Sequence, residues 1–222
     1  MRPALVPVST VEETVGAVER HFHRIYDELA VWSDTLVELF SAGPVTAAMA
    51  STAIIGRALA FLDGPHSLVG GGFVAARDAL ADRPLYLAWW QGDNRALLAE
   101  PSGPATEVFD YTRRPWFTVP ERTGRRHLTG PYVDFVCTDE YTVTATAPVT
   151  VDGRMVGVVG ADTLVETLER MLLPGLRASG ATLVSEHGRA VVSADPHIGP
   201  GDRVGPGTTY ACAGLPLSVV VP

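Results

Sequence analysis

Nine residues concentrate the groups that could recognise a charged small molecule. Phe109-Asp110-Tyr111-Thr112-Arg113-Arg114-Pro115-Trp116-Phe117 sets four aromatics beside two arginines. An arginine among aromatics is a carboxylate clamp, because the guanidinium fork offers two parallel N–H donors while the rings keep water away. Downstream, Pro131-Tyr132-Val133-Asp134 brings a phenol and a carboxylate two residues apart, which is one face of a strand. Gly160-Ala161-Asp162-Thr163 adds another carboxylate. Two carboxylates and a hydroxyl suit an ammonium, so the three segments together suit a zwitterion.

Each of these residues also has a plainer reading. Asp162 serves equally as a helix cap, although Thr163 with Glu166 forms a capping box that competes for that place. Arg114 reads as a surface cation like Arg113, Asp134 as a turn residue, and Trp116 as core. The run Arg122 to Arg126 reads as a solvated loop.

Catalytic and metal signatures are missing from the sequence. It contains no Gly-x-Ser-x-Gly elbow, no Walker loop, no Gly-x-Gly-x-x-Gly and no His-Glu-x-x-His. Gly70-Gly71-Gly72 precedes an expected strand and no helix follows to bind phosphate. His21 and His23 sit two apart on an expected helix and face different directions, which is poor geometry for zinc. Neither a cofactor nor a metal is expected, and binding is favoured over catalysis.

The 222 residues, 46% hydrophobic and 19% charged, provide for one large domain with a real core. A net charge of -8 opposes binding to nucleic acid or anionic membrane, since phosphate contacts need clustered Lys and Arg. Cys137 and Cys212 read as ordinary buried thiols. Met1 to Pro7 is too short and Pro-broken for a signal peptide. Val45 to Leu62, Ala-rich and carrying Arg57, reads as a buried helix and not a membrane span.

The elements that must position the charged groups follow from periodicity. Val11, Val15, Val18, Phe22, Ile25, Leu29, Trp32, Leu36 and Leu39 recur at steps of four and three. That seam predicts a helix of about 45 Å, begun by Ser9/Glu12 or Thr10/Glu13 capping boxes. It packs within the chain or pairs with a second copy. Pro44 opens the next helix, to about Leu62. Strands are expected at Gly71 to Ala76, Leu85 to Trp90, Ala96 to Ala99, Tyr141 to Val151 and Met155 to Ala161, the last two joined by an Asp152-Gly153 turn. A short helix is expected around Asp110 to Phe117, and another from Thr163 to about Pro174-Gly175. Two hairpins follow, turning at His187-Gly188 and Gly214-Leu215-Pro216. The class is α+β: a long N-terminal helix on a five-stranded antiparallel sheet, then a small β extension.

From about Phe109 to Leu164 the chain resembles the membrane-distal module of double Cache sensor domains, which occur on bacterial chemoreceptors, histidine kinases and cyclases. The resemblance is carried by Arg114-Pro115-Trp116-Phe117, Gly130-Pro131-Tyr132-Val133-Asp134, the Thr-rich strand into Pro148-Val149, and Val156 to Asp162. It implies a PAS-like sheet behind the long helix and a role in signal transduction. In the amino-acid-binding subgroup it implies that Arg114 and Trp116 hold a ligand carboxylate and that Tyr132, Asp134 and Asp162 hold its ammonium. Phe109 and Phe117 would then line the cavity. The subgroup usually has Tyr at the position of Phe109 and often of Phe117, so hydroxyl contacts are lost unless Tyr111 replaces one. The expected ligand is a small amino acid, an amine or a small carboxylate.

The resemblance also implies a division into residues 1–66 (helical), 67–176 (ligand-binding) and 177–222 (a shortened second Cache-like module). Members of the family usually sit outside the cell between membrane helices. This sequence reads instead as a cytoplasmic sensor that signals through a separate regulator protein or through a homodimer on the Val11–Leu39 helix. A structural dimerisation module with a vestigial pocket is the alternative, and an enzyme reusing the pocket is the remote one.

Overall fold

The computed structural model describes residues 8–64, 68–91, 96–98, 110–134 and 139–222. Helix α1 spans Val8–Ser41. It begins ahead of both expected capping boxes, which places Ser9 and Thr10 inside its first turn, and the Thr10 carbonyl accepts the Thr14 hydroxyl at 2.9 Å. Packing sets the extent of this helix more than any cap does. Val11, Val18, Phe22, Ile25, Leu29, Trp32 and Leu36 are each at most 1% exposed within the single chain. These seven positions of the seam pack within the chain, while Val15 and Leu39 are half-buried.

Helix α2 is Ala47–Leu62, and Thr46, not Pro44, precedes it as N-cap. Thr46 has the extended backbone a cap requires, and its side-chain oxygen accepts the Met49 N–H at 3.3 Å. The Asp82 carboxylate takes the Ala47 N–H at 2.9 Å, satisfying another of the helix's orphan donors.

Six strands build the main sheet: β1 Leu68–Ala75, β2 Leu87–Gln91, β3 Ala96–Leu98, β4 His127–Val133, β5 Tyr141–Val151 and β6 Arg154–Leu164, in the order β3-β2-β1-β6-β5-β4. Five are substantial and β3 is a three-residue edge. The glycine run lies inside β1, not before it, because β1 and β2 approach too closely for side chains there. A Cβ on Gly72 would fall 1.9 Å from the Ala88 carbonyl oxygen. Helix α2 packs on β1 and β2. Asp152 and Gly153, both at positive φ, make the expected turn between β5 and β6.

A 3-10 turn, Tyr111–Arg113, leads into helix α3, Pro115–Thr123. Helix α4 is Val165–Ser179, followed by strands β7 Thr182–Ser185, β8 Ala190–Ser193, β9 Thr208–Ala211 and β10 Leu217–Val221 in a second sheet ordered β8-β7-β10-β9. Both expected hairpins are present. Two expectations about α4 are corrected. Strand β6 runs through Thr163, so no Thr163/Glu166 box forms; Thr163 is buried in the strand and Glu166 instead pairs with Arg170 at 2.8 Å. Pro174-Gly175 does not end the helix, which continues to Ser179 and stops at Gly180 in the left-handed region. Gly175 is there for packing: its missing Cβ would lie 2.2 Å from the Thr14 hydroxyl of α1.

The chain forms two compact units: Met1–Arg24 with Gly130–Val143 and Thr163–Pro222, and Ile25–Thr129 with Thr144–Asp162. In the first, the Glu19 carboxylate accepts the Ala213 N–H at 2.6 Å, and His23 Nε2 lies 2.9 Å from the Ala213 carbonyl oxygen. The neighbouring Cys212 is a buried free thiol that burial, and secondarily the Glu19 charge, push up to about 12. Cys137 lies outside the described residues.

Candidate ligand-binding site

Most of the expected site residues belong to the second unit. Here β5 and β6 carry alternating polar groups on one sheet face. Thr144 and Thr146 project from β5, and Asp162 projects from β6. The Asp162 side chain is only 4% exposed, and the Thr144 hydroxyl donates to its Oδ1 at 2.6 Å. A carboxylate buried this deeply needs donors to offset its lost hydration, and the Thr144 hydroxyl is one of them. Asp162 caps no helix, which removes the plainer reading of it.

Two residues along β5, the Thr146 hydroxyl donates to the Trp116 carbonyl at 2.9 Å. That bond ties the start of α3 to the strand beside the Thr144–Asp162 pair. The aromatic segment is folded onto the same unit. Tyr111, Trp116 and Phe117 contact one another, with ring centroids 5.8 to 6.4 Å apart. Tyr111 and Phe117 join Val74, Ala76, Leu87, Trp89 and Val158 in one buried cluster, and Trp116 packs against it half-buried.

Tyr111 has a scaffold role in this cluster. Its hydroxyl donates to the Ala75 carbonyl at 2.8 Å and accepts the Tyr86 N–H at 2.9 Å, bridging the end of β1 to the segment entering β2. Burial pushes its ionisation well above the usual phenol range, so it stays protonated. The hydroxyl is committed to backbone, leaving the ring as what Tyr111 can offer a ligand.

The two adjacent arginines differ. Arg113 pairs with Asp110 at 3.3 Å, as does Arg77 at 3.6 Å. Asp110 also caps the 3-10 turn, accepting both the N–H and the hydroxyl of Thr112. The Thr112 hydroxyl is the main cause holding the Asp110 carboxyl below its usual range, and the two arginines add to it. Arg114 is the N-cap of α3, exposed, and makes no ion pair among the described residues.

Tyr132 and Asp134 lie in the other unit. Tyr132 is half-buried near the end of β4, and Asp134 follows the strand at 8% exposure. The Asp134 backbone closes the turn that returns to β5, donating to Glu140 at 3.0 Å and accepting from Asp139 at 2.8 Å. Phe109 lies outside the described residues.

Trp89 was not among the residues singled out by type and spacing. Its Nε1 is buried without a hydrogen-bond partner among the described residues. The adjacent Trp89-Trp90 pair was the available signal, since alternation on a strand sends one of two neighbouring tryptophans to each face.

Residues 79–170 match the family model described as methyl-accepting chemotaxis protein-like, first PDC sensor domain. The chain is similar to the methyl-accepting chemotaxis protein PctB of Pseudomonas aeruginosa, at 27% identity over 165 residues, covering 71% of this chain and 26% of that protein. It therefore spans about a quarter of the length of that curated relative. Among solved structures, the fold is shared with the ligand-binding domain of the Campylobacter jejuni chemoreceptor Tlp3 in complex with L-valine. The TM-score is 0.63 at 14% identity, over 89% of this chain and 74% of that one. It is shared too with the ligand-binding domain of the P. aeruginosa amino-acid chemoreceptor PctC in complex with GABA. There the TM-score is 0.60 at 18% identity, over 94% of this chain and 96% of that one.

Proposed function

We propose that this chain, whose residues 79–170 form a PDC-type (Cache) sensor domain, binds a small ammonium-bearing ligand, an amino acid or amine, as the input to signal transduction. The observation that carries the reading is the buried Asp162 carboxylate, anchored by Thr144 on the sheet face to which Thr146 ties the aromatic start of α3. A fixed anion beside aromatic rings favours a desolvated cation. Arg114, at the exposed N-cap of α3, is the partner proposed for a ligand carboxylate, with Trp116 and Phe117 beside it. The PctC and Tlp3 domains were solved with GABA and L-valine, both of which carry an ammonium and a carboxylate. The role proposed is binding and not catalysis.

A thermal-shift screen of amino acids, amines and small carboxylates tests this on the wild type, Asp162→Asn and Arg114→Ala. Ligand at a hundredfold excess over Kd stabilises by about 2.7 kcal/mol, or roughly 5–10 °C for a chain of this length. Loss of the shift in Asp162→Asn supports the ammonium site, and loss in Arg114→Ala supports the carboxylate clamp. A wild type unmoved by the whole panel refutes the reading.

Among the described residues, no helix is long and apolar enough to cross a membrane. Cytoplasmic residence, with a separate regulator as signalling partner, extends the proposal. Digestion of the tagged protein by external protease in intact spheroplasts would overturn that placement, and protection would support it.

A further inference from the structure

Among the described residues, two buried side-chain atoms of the second unit have no hydrogen-bond partner, Trp89 Nε1 and Thr129 Oγ1, and the indole is the one that faces the aromatic cluster. Strand β2 reads Leu87-Ala88-Trp89-Trp90-Gln91, and its two tryptophans point to opposite faces. Trp89 faces the cluster of Tyr111, Phe117 and Val158, is 6% exposed, and leaves its Nε1 without a partner. Elsewhere the chain pairs a buried indole: Trp32 Nε1 donates to Glu28 at 2.8 Å. An N–H that has given up water and gained nothing is costly, and such groups call for an explanation.

Two glycines show where this indole lies. A Cβ on Gly70 of β1 would fall 2.8 Å from Trp89 Nε1, and a Cβ on Gly160 of β6 would fall 3.3 Å from Trp89 Cη2. The ring therefore crosses from β1 to β6, its N–H end at one bare backbone position and its benzo end at another. The same Gly160 Cβ would lie 3.0 Å from Thr146 Cγ2. Asp162 is two residues from Gly160 on the same strand and so on the same face, about 7 Å along it. The unused donor, the bare glycines and the buried carboxylate thus occupy one face of one unit.

We infer that Trp89 is a second ligand anchor, whose indole N–H donates to an oxygen acceptor on the ligand that Asp162 holds by its ammonium. The inference rests on the reading of Asp162 given above and sharpens the ligand class. The site selects molecules that carry both a cation and an oxygen acceptor, and it discriminates against simple amines. That oxygen belongs to the main carboxylate or to a side-chain amide, and both share the chemistry an indole donor needs. Gly70 adds no side chain of its own beside the N–H.

Trp89→Phe keeps a ring and deletes the N–H. Calorimetric titration would compare L-valine with isobutylamine, which lacks the carboxylate, and L-glutamine with L-norleucine, which lacks the amide. The expected result is a loss of about tenfold for acceptor-bearing ligands only. A loss shared by L-valine and L-norleucine assigns the carboxylate, and a loss confined to L-glutamine assigns the amide. In the 15N-labelled wild type, the Trp89 indole proton should move downfield with the acceptor-bearing ligand and stay in place with its amine, which tests the contact with no substitution at all. Wild-type binding that Asp162→Asn abolishes but Trp89→Phe leaves intact, with an unmoved indole proton, overturns this inference and spares the sensor reading. A wild type that binds none of the four overturns both.

Discussion

Removing the Tyr111 hydroxyl should cost stability and not simply affinity. In Tyr111→Phe the ring stays where it is, fully buried among Trp116, Phe117 and the β1–β2 side chains, so no cavity opens. What disappears is the shared partner of the Ala75 carbonyl and the Tyr86 N–H, bound at 2.8 and 2.9 Å. Each backbone group left buried without a partner costs about 1–3 kcal/mol. The burial of the hydroxyl itself is relieved, which offsets part of that, leaving a net loss of about 3 kcal/mol. For a chain of this length the melting point should fall by roughly 6–12 °C. Differential scanning calorimetry of ligand-free wild type and variant measures it, with urea titration to check that the m-value is unchanged. A melting point within about 2 °C of wild type would show that the hydroxyl does not bridge the two segments. Ligand affinity, compared after matching the fraction folded, should change little.

Three further perturbations follow from particular contacts. Thr144→Val removes the hydroxyl that donates to Asp162 while keeping its shape, so the urea midpoint should drop by the equivalent of about 1.5–3 kcal/mol; an unchanged midpoint removes Thr144 as the anchor. Gly175→Ala drives a methyl into the Thr14 hydroxyl and should cost about 1–3 kcal/mol. Adding Thr14→Ala should recover most of that, and a failure to recover would place the strain elsewhere. Asp110 is held below its usual carboxyl range in the folded chain, so its contribution is present above the unfolded value of about 4 and fades as pH falls through the folded value. Asp110→Asn should therefore flatten the acid side of a melting-point-against-pH curve, and a curve of unchanged shape refutes the linkage.

Where local pattern and tertiary packing agree, the elements are readable in the residues themselves. The period-two run from Tyr141, the Asp152-Gly153 turn and the return strand appear as expected, because alternation, turn chemistry and length all favour one hairpin. The α1 seam was equally plain, but its partner was not. Heptad spacing describes an apolar stripe and says nothing about whether sheet or second copy covers it. The misreadings cluster where tertiary contacts override a local signal. Thr163 has a good capping sequence, yet strand pairing carries β6 through it, and its hydroxyl lies 3.2 Å from His21 Nε2. Pro174-Gly175 looks like a helix end, yet the approach of Thr14 makes a glycine inside the helix an advantage.

Within the candidate site, residue type located the neighbourhood but did not assign the roles. Tyr111 and Trp89 sit in one cluster, and each is a buried aromatic with a single polar atom. A sequence treats them alike, since both rings suit a pocket and both polar tips suit a ligand. The distinction comes from asking where each polar atom's hydrogen bond goes. The Tyr111 oxygen is used twice by backbone, so it fastens the scaffold and has no capacity for selection that does not come at the fold's expense. The Trp89 nitrogen has no partner among the described residues, so it is the polar atom of the pair that a ligand can use. Deleting the polar group from each ring should therefore act on different properties. Tyr111→Phe should lower ligand-free stability and spare affinity. Trp89→Phe should lower affinity for acceptor-bearing ligands, and its cost to ligand-free stability should come from the smaller ring and not from a lost hydrogen bond. A Trp89→Phe variant that binds acceptor-bearing ligands as tightly as the wild type would mean that the indole N–H does no work in recognition.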